Sequence, residues 1–214
     1  MASTGRRRAL KAALAVPVAA LAAACQVRVP GQGPPPDLYR LTPKSTYRED
    51  LPTVSWQLVL EKPLANAGID TTRIALQRTP MQIEYYAKSG WSDRAPLMIQ
   101  TLMIESFENS GRIVAVGRDV VGLRADFVLK SELREFQAEY FGGKLPRVRV
   151  GISVRLVQMP RRAIIGSKSF EHVVTAEADT IDAIIAAFDE SLGKVLRRLV
   201  EWTVLTGEAA RRTS

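Results

Sequence analysis

Val148, Val150, Ile152, Val154 and Leu156 alternate with Arg149, Gly151, Ser153 and Arg155. A two-residue repeat of that length is a strand buried on one face, and it obliges the chain to build a sheet with a core against that face. Pro160 ends the strand, and Ala163 to Val174 returns as another. Upstream, Asp126 to Phe136 carries Phe127, Leu129 and Leu133 on one side, with a phase shift at Phe136 that predicts a bulge. The links between these segments are too short for helical crossovers, so they predict an antiparallel meander, with Gly142-Gly143 as one of its turns.

Further strands and two helices surround that meander. Val54, Trp56, Leu58 and Leu60 predict a strand closed by Pro63, and Ile113 to Val116 a short one. Arg73 to Gln77 and Met81 to Ala87 predict two more, joined by a tight turn at Thr79-Pro80. A first helix is predicted from Ser92 as N-cap, with Asp93 in its first turn, to Asn109-Ser110, with Gly111 as the stop. Its apolar residues, among them Leu97, Ile99, Met103 and Ile104, cover more than one face and predict burial on two sides. A second helix is predicted from Asp179 or Thr180 to Leu205. Ile181, Ile184, Ile185, Phe188, Leu192, Val195, Leu196 and Leu199 form its core stripe. Acids early (Asp182, Asp189, Glu190) and bases late (Lys194, Arg197, Arg198) suit its dipole.

The start of the chain reads differently. Arg6, Arg7, Arg8 and Lys11 precede an almost pure Ala, Val and Leu run from Ala12 to Ala24, and Ala22, Ala23 and Ala24 precede Cys25. A basic start, a short apolar run and a small-residue cleavage region form a secretory leader, residues 1–24. The run is shorter than the roughly 20 apolar residues a spanning helix needs, and Pro17 interrupts it. Residues 25–37 then form a tether in which Gly31, Gly33 and Pro34-Pro35-Pro36 favour an extended polyproline conformation. Residues 38–206 form a single domain, and residues 207–214 are predicted to fray. The leader carries four of the positive charges, so the formal net charge of +8 falls to +4 once it is removed. The remaining bases occur as short pairs, Arg161-Arg162, Arg197-Arg198 and Arg211-Arg212, which argue for a solvated surface and against nucleic-acid binding.

Cys25 is the only cysteine, which excludes an internal disulfide framework. Leu21-Ala22-Ala23-Ala24-Cys25 resembles the bacterial lipobox, with its leucine one place further from the cysteine than is usual. The resemblance implies diacylglycerol on the Cys25 sulfur and a further acyl chain on the new amino terminus. Two or more chains hold a protein stably at a membrane, where one does so only marginally. Gln26, in place of the aspartate that retains such proteins at the inner membrane, favours the outer membrane.

Chemistry-bearing motifs are scarce. His172 is the only histidine and alternates in phase with Phe170 and Val174, as a partly buried structural residue would. It has no Gly-x-Ser-x-Gly companion, and one histidine with an acylated cysteine cannot make a zinc set. Gly142-Gly143 lacks the rest of a phosphate loop. Glu132, Glu135 and Glu139 read as a solvated strand face. No cofactor, metal or catalytic residue is therefore expected. Tyr85, Tyr86 and Trp91 concentrate aromatic surface; packing under the first helix is the plainer expectation and a partner surface the functional one.

These segments, taken in order, resemble the ABC-type transport auxiliary lipoproteins, the group that includes PqiC and YmbA. The likeness runs through Tyr39-Arg40-Leu41, Arg73-Ile74, Ile83-Glu84-Tyr85-Tyr86 to Trp91, Ala125-Asp126 with Phe136, and a closing helix through Ala183 to Trp202. The resemblance implies an α/β fold, a three-layer sandwich with a mixed, largely antiparallel β-sheet and two main helices. It implies a partner that is an MCE-domain periplasmic protein with an ABC permease and ATPase, moving phospholipid or other hydrophobic molecules between the membranes. It implies a periplasm-facing, lipid-anchored location in the cell envelope, and leaves a homo-oligomer open. A structural or assembly lipoprotein of the outer membrane and a periplasmic hydrolase using His172 stand as the alternatives.

Overall fold

The computed structural model describes residues 35–118 and 124–213. The predicted leader, the Cys25 attachment site and the tether as far as residue 34 lie outside the described residues. The elements follow in the order β1 (Asp37–Tyr39), β2 (Val54–Leu60), β3 (Leu64–Ala65), β4 (Arg73–Thr79), β5 (Gln82–Trp91), α1 (Ala95–Ser110), β6 (Ile113–Arg118), β7 (Phe127–Glu139), β8 (Arg147–Gln158), β9 (Ala163–Thr175) and α2 (Ile181–Arg212).

Strand β7 is the spine of the sheet. Along one edge it pairs antiparallel with β8 from Phe127 opposite Gln158 to Glu139 opposite Arg147, and β8 pairs antiparallel with β9. This is the predicted meander, and the ladder slips between Leu133 and Glu135, where the phase shift predicted a bulge. Along its other edge β7 takes parallel partners in succession: β2 beside Phe127 to Leu129, β3 beside Glu132 and Leu133, and β4 beside Gln137 to Glu139. Beyond these, β2 pairs parallel with β6, β4 antiparallel with β5, and β5 parallel with β1. The sheet is mixed, and its two longest ladders are antiparallel, so the α/β class is as the sequence implied.

The core lies where the apolar faces of β2, β7 and β8 meet the two helices. Val148, Val150, Ile152, Val154 and Leu156 are all buried, as their alternation requires. Trp91, Phe136 and Phe188 form a triangle with ring centroids 5.0–5.2 Å apart, binding β5 and β7 to α2. Aromatic pairs of this kind contribute about 0.5–1.5 kcal/mol each beyond the area they bury. Trp56 meets Phe127 edge-on at 5.0 Å. The α2 stripe from Ile184 to Val204 is buried, and α1 turns Met98, Ile99, Leu102, Met103 and Phe107 inward while Leu97 and Ile104 stay half-buried. The helices touch one another. Between β1 and β2 the chain straps both of them. Thr42 donates to Asp189 of α2 through its N–H (2.6 Å) and its hydroxyl, Lys44 N–H donates to Ser106 Oγ of α1 (2.9 Å), and Arg48 N–H donates to Glu201 of α2 (3.1 Å).

Several boundaries differ from the sequence reading, each for a tertiary reason. Strand β5 runs on to Trp91, where the pattern stopped at Ala87. Trp91 N–H donates to Thr72 O (2.7 Å) and Ser92 N–H to Tyr39 O (2.9 Å), which keeps the chain extended. Ser92 therefore does not cap α1, and Asp93 is not in its first turn. The helix starts at Ala95, with Pro96 in its first turn and Arg94 tied to Asp70 (Nε to Oδ1 3.0 Å). Its other end is as expected, with Gly111 in the left-handed region at φ 59°. Helix α2 is capped by Thr180, whose hydroxyl accepts from Ala183 N–H (3.4 Å), but it does not end near Leu205. It continues through Gly207 to Arg212, so the stretch expected to fray is helical. Gly207 is there for closeness: a Cβ built on it would sit 2.8 Å from Trp56 Cζ2.

Candidate functional site at one end of the sheet

The strand registers gather several polar side chains at the end where β4 and β7 finish and β5 and β8 begin. Gln77 on β4 lies beside Glu139 on β7, Tyr140 N–H donates to Gln77 O (2.8 Å), and Glu139 faces Arg147 on β8. Tyr86 on β5 and Tyr140 meet there with their hydroxyls 2.9 Å apart. Tyr140 donates to Asp179 Oδ1 at 2.7 Å. An ionised carboxylate only accepts, so Tyr140 spends its proton on Asp179 and Tyr86 donates to Tyr140. Burial pushes the Tyr86 phenol well above the usual tyrosine range, and the Tyr140 contact adds to it. Tyr140 is raised as well, by burial first. Arg78 lies 5.2 Å above the Tyr140 ring and pairs with Glu84 at 3.5 Å.

Beside this relay sits an ion network. Glu139 has only 4% of its side chain exposed and accepts from Arg149 Nε at 2.6 Å and from Arg147 at 3.4 Å. Arg149 also pairs with Glu171 on β9. The Glu139 hydrogen bond raises the Arg149 guanidinium above its ordinary value. Arg147 Nε is buried without a hydrogen-bond partner among the described residues. The expectation of a solvated Glu132, Glu135 and Glu139 face thus fails at Glu139. Arg147 stands opposite it across the β7–β8 ladder and Arg149, opposite Gln137, reaches it diagonally, which the β7 segment alone does not reveal. Glu132 does pair with Arg134 at the surface (3.0 Å), and Glu135 accepts from Gln137 (2.7 Å).

The three aromatic candidates separate. Trp91 is 1% exposed and belongs to the core triangle, so it offers nothing to a partner. Tyr85 and Tyr86 are half-buried. Tyr85 stacks under the Arg73 guanidinium at 3.7 Å and donates to Gly68 O at 3.1 Å, while Tyr86 joins the relay. His172 is half-buried on β9, opposite Val150, and its carbonyl accepts from Ser191 of α2 at 2.9 Å. Ser191 thus meets the backbone of His172 and not its imidazole. Among the described residues no group of three or more His, Cys, Asp or Glu side chains is placed to hold a metal, and no helix is long and apolar enough to cross a membrane. Phenols held protonated are poor bases. What the arrangement can do is present a fixed polar surface.

Comparison with known proteins agrees with this reading of the fold. Protein XCC0632 from Xanthomonas campestris, assigned to family DUF330, has a crystal structure that matches with a TM-score of 0.78 and 31% sequence identity, over 82% of this chain and 98% of that one. A crystal structure of an uncharacterized protein shares the fold at 13% identity, with a TM-score of 0.57 over 84% of this chain and 99% of that one. The uncharacterized protein bll6063 of Bradyrhizobium diazoefficiens is 29% identical over 155 residues, which are 72% of this chain. The match covers 41% of that relative's own length. The sequence pattern of the ABC-type transport auxiliary lipoprotein component matches residues 39–200, from the start of the strap to the buried stripe of α2. The chain belongs to the ABC-type transport auxiliary lipoprotein family.

Proposed function

We propose that the protein is the lipid-anchored, non-motor companion of an ABC transport system whose periplasmic component carries MCE domains. In this reading it docks that component, with its permease and ATPase, at the outer membrane for passage of phospholipid or other hydrophobic molecules. The observation that carries the reading is the family match over residues 39–200 standing behind a basic-then-apolar stretch, residues 1–24, that is followed at once by Cys25. An auxiliary lipoprotein family implies an envelope location and association with an ABC transport system. Gln26 supports the outer membrane, and the polar cluster around Glu139 and Tyr140 suits binding better than catalysis.

Two measurements test this. Intact mass of the membrane-extracted protein, with and without globomycin, reads cleavage before Cys25 and acylation together; an unmodified Cys25 overturns the anchor. Affinity capture from crosslinked envelopes should recover an MCE-domain protein with its permease and ATPase. Recovery of porins or peptidoglycan-binding proteins alone would overturn the transport role and leave a structural lipoprotein.

A further inference from the structure

The end of the sheet that holds the polar cluster also carries two hairpin turns side by side. Strands β4 and β7 run parallel and adjacent, so the β4–β5 turn, closed by Thr79 opposite Gln82, and the β7–β8 turn after Tyr140 project past the same end. Met81 in the first turn is 99% exposed, Ile83 beside it 40%, and Leu145 in the second turn 38%. Single exposed apolar residues are ordinary. Here two adjacent turns present them together, with Arg78 and Lys144 exposed among them.

The direction of the chain supplies an independent constraint. Strand β1 is parallel to β5, which starts at the first of these turns, and Asp37 lies opposite Ser89. The polypeptide therefore reaches Asp37 from the side of the turns. Back along β5 from Ser89 to Gln82 is about 20 Å at about 3.3 Å per residue. The segment 26–36 is long enough to span about 30 Å if extended. A lipid on Cys25 can thus sit in a bilayer while Met81 and Leu145 touch its surface.

We propose that this end of the domain rests on the bilayer that holds the Cys25 lipid, with Met81 and Leu145 dipping into the headgroup boundary. The proposal rests on the anchored reading above. Arg78 and Lys144 lie where anionic headgroups would be; of the acids at this end Glu84 pairs with Arg78, Asp179 accepts from Tyr140 and Glu139 pairs with Arg149, while Glu177 is exposed beside the second turn, where Ala176 N–H donates to Pro146 O (2.9 Å). Asp37 and Lys88 flank the place where the tether attaches. The β8–β9 turn, with Arg161 and Arg162 exposed, lies a full length of β7 away, about 40 Å at about 3.3 Å per residue, and faces away from the membrane.

Cys25 is the only native cysteine and is consumed by acylation in the anchored protein, so a new thiol can be labelled alone. Full-length lipidated protein carrying Met81→Cys, Leu145→Cys or Arg161→Cys, each with an environment-sensitive dye, is reconstituted into vesicles of phosphatidylethanolamine and phosphatidylglycerol. Flotation reads the anchor, and dye emission reads the contact. The expected result is a blue shift and quenching by lipid-borne quencher at positions 81 and 145, at a depth of about 5–10 Å, with a water-like signal at 161. Flotation with water-like signals at 81 and 145, or with 161 as the quenched site, overturns the proposal and leaves the anchor standing. A blue shift at 81 in vesicles without quenching by the lipid-borne quencher assigns the turns to a second copy of the chain and also overturns it. Failure to float overturns both readings.

Discussion

Arg149 Nε donates to Glu139 Oε1 at 2.6 Å, and the receiving carboxylate is almost completely shielded from water. Breaking one partner of a shielded pair leaves the other charge without compensation. Arg149→Met should lower the stability of the domain by about 2–3 kcal/mol, the low side of such losses because Arg147 still faces the carboxylate. Glu139→Gln combined with Arg149→Met should recover part of it. Urea unfolding of the four variants as a double-mutant cycle measures the coupling; additivity of the two losses would show that the pair contributes nothing.

Alkaline pH should unfold the domain through its tyrosines. The Tyr47 hydroxyl donates to Ser106 O at 2.6 Å, and burial, with the Glu201 charge adding to it, pushes its pKa up to about 12. An unfolded tyrosine ionises near 10, so above that pH the unfolded state loses its proton first. The stabilisation is complete below pH 10 and is lost as the pH rises to about 12. Tyr47→Phe should flatten the fall in melting temperature over that window, and an unchanged slope would count against a buried phenol. Tyr86, raised in the same direction, adds to the slope of the parent protein.

Replacing Gly207 by alanine sets two effects against each other. Alanine gains about 1 kcal/mol of helix propensity over glycine. The new Cβ would meet the buried, immobile Trp56 indole at 2.8 Å, and overpacking of that kind costs about 1–3 kcal/mol. Gly207→Ala should therefore destabilise despite its better propensity, and Gly207→Ala with Trp56→Phe should destabilise less than the sum of the two. Thermal unfolding of the set decides it.

The same exchange at Gly111 should fail for a different reason. No atom lies within 4 Å of a Cβ there, but the residue holds φ 59° to close α1. Gly111→Ala should cost about 1–2 kcal/mol from the left-handed backbone alone, and Gly111→Asn distinctly less. Equal losses for alanine and asparagine would point to something other than backbone conformation.

Periodicity carried the fold wherever an element was long enough to display it. The bounds of β2 match its alternation, and β7 to β9 pair as their short links required. Strands of three and two residues, β1 and β3, hold no period and went unseen. The start of α1 was misplaced because Trp91 and Ser92 bond to Thr72 and Tyr39, partners distant in sequence. The expected end of α2 at Leu205 falls short because the role of Gly207, proximity to Trp56, is invisible without the partner. The polar site was legible in part. Tyr86 stands out in the sequence for its aromatic company, Glu139 only as part of a solvated face, and Tyr140, Asp179 and Arg149 not at all, since only the register brings them together. Their one available signal was the spacing of Arg147 and Arg149 on the outward side of a strand.

The place of β7 bears on how the molecule is made. Its one edge collects β2, β3 and β4, segments synthesised some sixty or seventy residues earlier. Until Phe127 to Glu139 emerges, β2 and β4 have only β6 and β5 to pair with and cannot join into one sheet, and closing such long loops slows folding. The first half of the polypeptide must wait, exposed, for its organiser. A chain built this way spends its most vulnerable interval before the arrival of a single thirteen-residue strand.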